Sequence, residues 1–165
     1  MGEVARFAAA PPQVEGRTIR GLLLPWGTPA ADRPVQFARG AVTWDPENVV
    51  LRLMHDGATE PPLARLGRGM TLTDSAEGLL LEATLAETTR GTDALALIEA
   101  GVVTGLSAEV AILERDRTTS PPTVTRATLT AGALVPAGAF TDAELFARQA
   151  AAARRRRLRV AAALG

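Results

Sequence analysis

The chain has 165 residues, of which 47% are hydrophobic, so it is long and apolar enough to fold around one core. Its 18 basic residues, all of them Arg, balance 18 acidic residues, so no overall charge selects nucleic acid or an acidic partner. It contains no Cys and one His, which excludes disulfides, thiolate catalysis, Cys-ligated zinc and multi-histidine metal sites, and we expect no cofactor. Without a secretory leader or an apolar run of about 20 residues, the sequence predicts a cytoplasmic protein with no membrane span.

Alternating apolar and polar residues between turn signals predict a mainly β protein with flanking helices, in the β or α+β class. The predicted strands cover residues 17–24, 49–56, 67–73, 79–85, 102–113 and 123–129, and a further short strand ends at Pro136. Residues 1–15, which contain Pro11 and Pro12, are predicted to begin loosely. A helix is predicted over residues 88–101, with Thr92 as its N-cap and Gly101 as its left-handed stop.

A second helix is predicted near the C-terminus, where Thr141-Asp142-Ala143-Glu144 has the pattern of a capping box. This helix carries Arg154-Arg155-Arg156-Arg157, and four consecutive like charges surround a helix rather than form a core stripe. Two interpretations remain open for this basic tail. It contacts an acidic partner or nucleic acid, or it is a solvated helix end. We therefore divide the chain into a β domain, residues 1–140, and a helical tail, residues 141–165.

The only histidine lies at the end of the strand predicted over residues 49–56. Alternation places it in an apolar row with Val49, Leu51 and Leu53, where a buried face opens to solvent. In the strand predicted over residues 102–113, the row of Leu106, Ala108, Val110 and Ile112 occupies one face. The opposite face of that strand carries Ser107, Glu109 and Ala111.

Ser107 and His55 are the candidate catalytic pair, because a serine hydroxyl needs a nearby base and histidine is the usual one. The alternative is that both are ordinary residues, a small polar strand residue and a histidine at the core boundary. A third group would orient the imidazole. Asp56 adjoins His55 in sequence and Glu109 shares the face of Ser107, and the pattern leaves open which carboxylate serves, or neither.

Several short stretches follow one another in a specific order: GLLLPWG at 21–27, FARGA at 37–41, LMHD at 53–56, GL at 78–79, TRGTDAL at 89–95 and GVVTGLS at 101–107. Their order and spacing resemble the tailed-phage prohead maturation proteases, serine peptidases similar in fold to the herpesvirus assemblins. The resemblance covers roughly residues 17–136. It implies a closed β-barrel flanked by helices, with His55 as the general base and Ser107 as the nucleophile.

The resemblance also implies partners and a place of action. The substrates would be the major capsid protein and scaffold segments, cleaved inside the procapsid in the host cytoplasm. The tail at Arg154–Arg157 would then contact the procapsid interior or nucleic acid, no membrane is involved, and a homo-oligomer is left open. The sequence departs from the family at Ala131, where members often carry an acid, and at Glu109, where they often carry glycine. The alternative is therefore a weak or inactive barrel that serves as a structural or assembly subunit of the particle.

Overall fold

A computed structural model describes residues 3–8, 12–30, 33–55 and 60–136 of the chain. These residues form eleven strands and one helix. In chain order the elements are β1 (Glu3–Ala8), β2 (Gln13–Glu15), β3 (Thr18–Pro25), β4 (Gln36–Phe37), β5 (Val42–Trp44), β6 (Val50–Leu53), β7 (Ala64–Leu66), β8 (Gly69–Asp74), β9 (Gly78–Thr84), α1 (Thr89–Glu99), β10 (Gly105–Asp116) and β11 (Thr123–Val135). The predicted C-terminal helix, with its run of four arginines, lies outside the described residues.

All the strands of this region join one sheet, in the order β1-β10-β11-β6-β7-β8-β9-β3-β2, and β4 and β5 also pair with β11. The long strand β11 is antiparallel to β10. It is parallel to β4, β5 and β6, which pair with it at successive positions along its length. The strand before His55 and the strand that carries Ser107 are therefore both in register with β11, which sets their relative position.

The prediction of a mainly β fold is confirmed, but the prediction of a closed barrel is wrong. Within the described residues the sheet ends at β1 on one side and at β2 on the other, and these two strands do not pair. Strand β3 instead approaches β10 through side chains. A Cβ atom added at Gly21 would lie 2.6 Å from Cδ1 of Leu106. Strands β3 and β10 therefore meet through side chains, while no backbone ladder joins the end strands β1 and β2 in the described residues.

The core is built from the inward-facing residues of these strands. Phe7 and Phe37 make an edge-to-face contact with ring centroids 4.9 Å apart. Cδ1 atoms of Leu23, Leu51 and Leu81 converge on Gly132 of β11. The inward rows predicted for residues 79–85 and 106–112 are the buried ones. Because Ser107 lies between buried neighbours of such a row, its side chain points away from this core.

Helix α1 leads into the serine strand. Its N-cap is Thr88, whose side chain accepts a hydrogen bond from the Gly91 N–H at 3.1 Å, so the prediction of Thr92 as the cap is wrong. The predicted stop is confirmed, because Gly101 has a φ of 72° directly after the last helical turn. In the described part of the chain, no helix combines the length and apolar character that crossing a membrane requires.

The turn that joins β10 to β11 is held by Asp116. Its Oδ1 accepts hydrogen bonds from the Thr118 hydroxyl at 2.6 Å and from the Thr118 N–H at 2.8 Å. These bonds hold the pKa of the Asp116 carboxyl below its ordinary value, because they stabilise the carboxylate, and the bond from the hydroxyl has the larger effect. The turn connects the two strands whose pairing places Ala133 opposite Ser107.

Candidate active site

Ser107 and His55 meet where β10 and the end of β6 flank β11. Oγ of Ser107 lies 2.7 Å from Nε2 of His55, although the residues are 52 positions apart in sequence. Ser107 is 2% exposed, and the side chain of His55 is 14% exposed. At this distance the imidazole nitrogen can accept the hydroxyl proton, which is the geometry of a serine nucleophile and its base.

The backbone of Ser107 is fixed from both sides. It pairs with Ala8 of β1 and with Ala133 of β11, both antiparallel. Residues directly opposite each other in antiparallel strands share a face, so Ser107 lies on the same face as Ala133. This is the face away from Leu106 and the main core. Ala133 and Val135, both buried, form a separate small cluster there.

His55 reaches this face through a break in its strand. Continued alternation would place it on the core side with Leu51, as the sequence predicted, and that prediction is wrong. Met54 has a φ of 63°, and its N–H donates to the Leu134 carbonyl at 2.9 Å. This left-handed residue ends β6 and turns the following side chain toward Ser107. A left-handed backbone costs a residue other than glycine about 1–2 kcal/mol, so the contact depends on a strained position.

Two substitutions at Met54 separate backbone conformation from side-chain packing. We expect Met54→Val to lower any activity that depends on the Ser107–His55 contact about tenfold or more, because a β-branched residue resists positive φ and would return His55 toward the core face. Met54→Gly, which adopts positive φ freely, should retain activity within a few-fold. The measurements are kcat/KM and thermal unfolding. If packing alone mattered, glycine, which removes more of the side chain, would be the more damaging substitution.

Glu109 lies on the other side of the imidazole. Its Oε2 is 3.6 Å from Nδ1 of His55, the ring nitrogen that does not face Ser107. Oε2 also accepts a hydrogen bond from Nε of Arg6 at 3.1 Å, and Oε1 accepts one from the Thr130 hydroxyl at 3.2 Å. Arg6 therefore orients the carboxylate through Oε2, while the Thr130 hydroxyl, which also lies 3.0 Å from the Glu109 carbonyl oxygen, shares its one proton between that oxygen and Oε1. The side chain is 19% exposed.

The imidazole of His55 thus lies between the Ser107 hydroxyl and the Glu109 carboxylate. A model of the caudovirus prohead serine protease family matches residues 14–156 of the chain. The chain belongs to this family. The match includes both Ser107 and His55, and it confirms the family that the short stretches indicated. No curated protein and no solved structure shows significant similarity to the chain.

Membership in the prohead protease family supports a role in maturation of the phage prohead, inside the procapsid. The family match does not decide which carboxylate assists the histidine. Of the two candidates, Glu109 lies beside the imidazole, and Asp56 lies outside the described residues. No group of His, Asp and Glu side chains in the described ranges is arranged to hold a metal ion.

Two arginines near the site were not anticipated from the sequence. Arg6 lies on β1, and the prediction that residues 1–15 begin loosely is wrong both for this strand and for β2, residues 13–15. The signal was present, because the buried Ala5 and Phe7 alternate with the exposed Val4 and Arg6. Arg90 lies in the first turn of α1, within a stretch that supported the family resemblance.

Arg90 joins the two ends of the segment that contains His55. Its Nη2 donates to the Leu53 carbonyl at 3.4 Å, and its Nη1 lies 3.3 Å from Oε2 of Glu60. Leu53 precedes the left-handed turn at Met54, and Glu60 follows the same segment. Helix α1 is thus tied to both flanks of the histidine segment, which helps to hold His55 near the serine strand.

Proposed function

We propose that this prohead protease family member is an active serine endopeptidase of head maturation, with Ser107 as the nucleophile and His55 as the general base. The observation that carries the proposal is the 2.7 Å contact between Ser107 Oγ and His55 Nε2. Two residues from separate elements meet there at the distance that proton transfer requires. Family membership supplies the reaction class.

The reaction follows from the geometry. Ser107 Oγ attacks the carbonyl carbon of the scissile peptide bond while its proton passes to Nε2 of His55. The resulting imidazolium gives that proton to the leaving amine nitrogen as the C–N bond breaks, which leaves an acyl-enzyme on Ser107. Water then attacks the ester carbonyl, and His55 accepts its proton and returns it to Oγ. The products are a free carboxylate and a free amine.

We propose Glu109 as the third member of the site. A carboxylate beside Nδ1 selects the tautomer that carries its proton on Nδ1 and leaves Nε2 able to accept the serine proton. It also stabilises the imidazolium that forms during attack. The 3.6 Å separation is longer than a hydrogen bond, and such contacts commonly shorten when substrate binds.

The strand register suggests how this chain compensates for a departure from its family. The resemblance placed an acid at the position of Ala131, and Ala131 is the cross-strand partner of Glu109. Directly opposed residues of an antiparallel pair lie about 4.5–5.5 Å apart and share a face. A carboxylate on β10 can therefore reach the same space as one on β11. We propose that the acid has moved to the neighbouring strand.

The burial of Ser107 has a consequence for substrate entry. With 2% of the residue exposed, a peptide carbonyl reaches Oγ only after part of the surroundings moves aside. The same burial excludes water from the pair, which strengthens its electrostatic interactions once substrate is bound.

The alternative function is that of a barrel-derived assembly subunit without catalysis. Such a subunit does not require the side chains of Ser107 and His55 to lie close together. A large separation would have favoured this alternative, and the 2.7 Å contact instead supports the enzyme.

We propose the major capsid protein and scaffold segments as substrates, since the family acts on the prohead. Contact of Arg154–Arg157 with the procapsid interior or nucleic acid, and assembly as a homo-oligomer, stay predictions.

Co-expression with the capsid protein of the same phage, together with its scaffold segment, tests the proposal. The intact mass of the capsid protein is measured after co-expression with the native chain and with the Ser107→Ala and His55→Ala variants. We expect a shorter capsid protein with the native chain and an uncut one with either variant. Equal processing by either variant would show that the catalytic assignment is wrong.

A further inference from the structure

We infer that Arg6, on the N-terminal strand β1, is a positioning residue that adjusts how strongly Glu109 holds a proton on His55. The inference rests on the proposed function, in which His55 must be neutral to accept the Ser107 proton. It concerns a strand that the sequence did not predict and a residue that binds the carboxylate beside the imidazole.

The strand pairing places Arg6 where it can act. Arg6 is the direct cross-strand partner of Glu109, and Ala8, two residues later, is the partner of Ser107. The guanidinium of Arg6 donates through Nε to Oε2 of Glu109 at 3.1 Å. The same oxygen is the one nearest to His55, at 3.6 Å from Nδ1. One carboxylate oxygen is thus shared between a permanent cation and the catalytic imidazole.

The direction in which Arg6 changes the protonation of His55 follows from the charges. A bare carboxylate beside an imidazole favours the protonated ring, which cannot act as a base. The charge of Arg6 offsets part of the charge of Glu109 and so weakens that preference, while its hydrogen bond holds the carboxylate beside the ring. Arg6 is 55% exposed at its side chain, so solvent screens the effect and we expect it to be modest.

The other charged groups around His55 do not share this oxygen. On β6, Arg52 is opposite Ala133 of β11 in the parallel pair. On α1, Arg90 contacts Leu53 and is 3.3 Å from Glu60. On β11, Thr130 donates to the other oxygen of Glu109 and carries no charge. Within the described part of the chain, Arg6 is therefore the cation placed to offset Glu109.

The consequence is that the N-terminal strand belongs to the active site. In the sheet of described residues β1 is an end strand and its pairing partner is β10. Arg6 reaches Glu109 when β1 is paired, and the same pairing holds the backbone of Ser107. Loss of β1 would both release the carboxylate from its cation and free one edge of the nucleophile strand.

The chain offers a direct test, because it contains one histidine. The nuclear magnetic resonance signals of that imidazole, followed against pH in the full chain, give its titration midpoint without any activity assay. We expect Arg6→Gln to raise the midpoint by about half a pH unit and Glu109→Gln to lower it by about one unit. Arg6→Lys, which keeps the charge, should fall between Arg6→Gln and the native chain. In the Glu109→Gln background, Arg6→Gln should have a smaller effect.

Arg126→Gln is the matched control, because Arg126 forms an exposed ion pair with Glu114 elsewhere on the β10–β11 pair. It should leave the midpoint unchanged. A shift for Arg6→Gln no larger than that of the control, or one in the opposite direction, would overturn the inference.

In active enzyme, the acid limb of the pH profile of kcat/KM should move with the titration midpoint of His55. If the native chain cuts nothing while the midpoints shift as expected, the proposed function fails and the positioning role of Arg6 stands.

Discussion

Replacing Ser107 with alanine is expected to lower kcat/KM for peptide hydrolysis by about 10⁴-fold or more. The substitution removes the atom that forms the acyl-enzyme in the proposed mechanism and leaves the rest of the strand in place. The backbone pairs of residue 107 with Ala8 and Ala133 do not depend on the hydroxyl. Loss of one hydrogen bond to His55 should change the free energy of unfolding by no more than about 1.5 kcal/mol.

The measurement is steady-state hydrolysis of a peptide that spans a capsid-protein cleavage site, with thermal unfolding as the check on folding. Ser120→Ala is the matched control, because Ser120 is an exposed serine in the turn between β10 and β11. The control should hydrolyse the peptide at the native rate. A Ser107→Ala enzyme that keeps more than a small fraction of the activity would assign the nucleophile elsewhere.

Glu109→Gln is the second substitution with a large expected effect, a loss of about 10²-fold in kcat with folding preserved. Glutamine has the size of glutamate and keeps one oxygen to accept from Arg6 or Thr130. It removes the negative charge that lies 3.6 Å from Nδ1 of His55. The imidazolium formed during attack then loses its counter-charge, and the preference for the productive tautomer is weakened.

Glu114→Gln provides the comparison, because Glu114 lies on the same strand and pairs with Arg126 on the exposed surface. It should leave kcat unchanged. The more specific measurement is the pH profile of kcat. Its acid limb should move to lower pH in Glu109→Gln, because the protonated imidazole of His55 is less stabilised. Native kcat and an unmoved profile in this variant would exclude Glu109 as the third group.

The sequence predicted the inward faces of the strands because alternation has a period of two and depends on local pattern alone. Residues 79–85 and 106–112 bury the side chains that the pattern indicated. The sequence pattern also predicted two strands where the structure has one. The strand predicted over residues 123–129 and the short strand before Pro136 are one strand, β11. Small residues between them, including Gly132, interrupt the apolar pattern because leucines of three other strands pack there.

The site was predictable in its residues but not in its geometry. Ser107 and His55 were identified by residue type and by family resemblance. Their convergence depends on the positive φ of Met54, and no propensity scale assigns that conformation to methionine. The role proposed for Glu109 over Asp56 depends on contacts with Arg6 and Thr130, on two other strands. Long-range pairing of this kind has no local signature.

The parallel and antiparallel pairing of β11 gives the chain unequal tolerance to changes of length. The strand before His55 and the strand that carries Ser107 use the same stretch of β11, where Ala133 is the partner of both Arg52 and Ser107. One residue inserted just before that stretch would displace it by about 3.3 Å and reverse its faces for both neighbours at once. Insertions in the turn at residues 117–122 leave both alignments intact. Evolutionary lengthening of this protein should therefore accumulate in that turn.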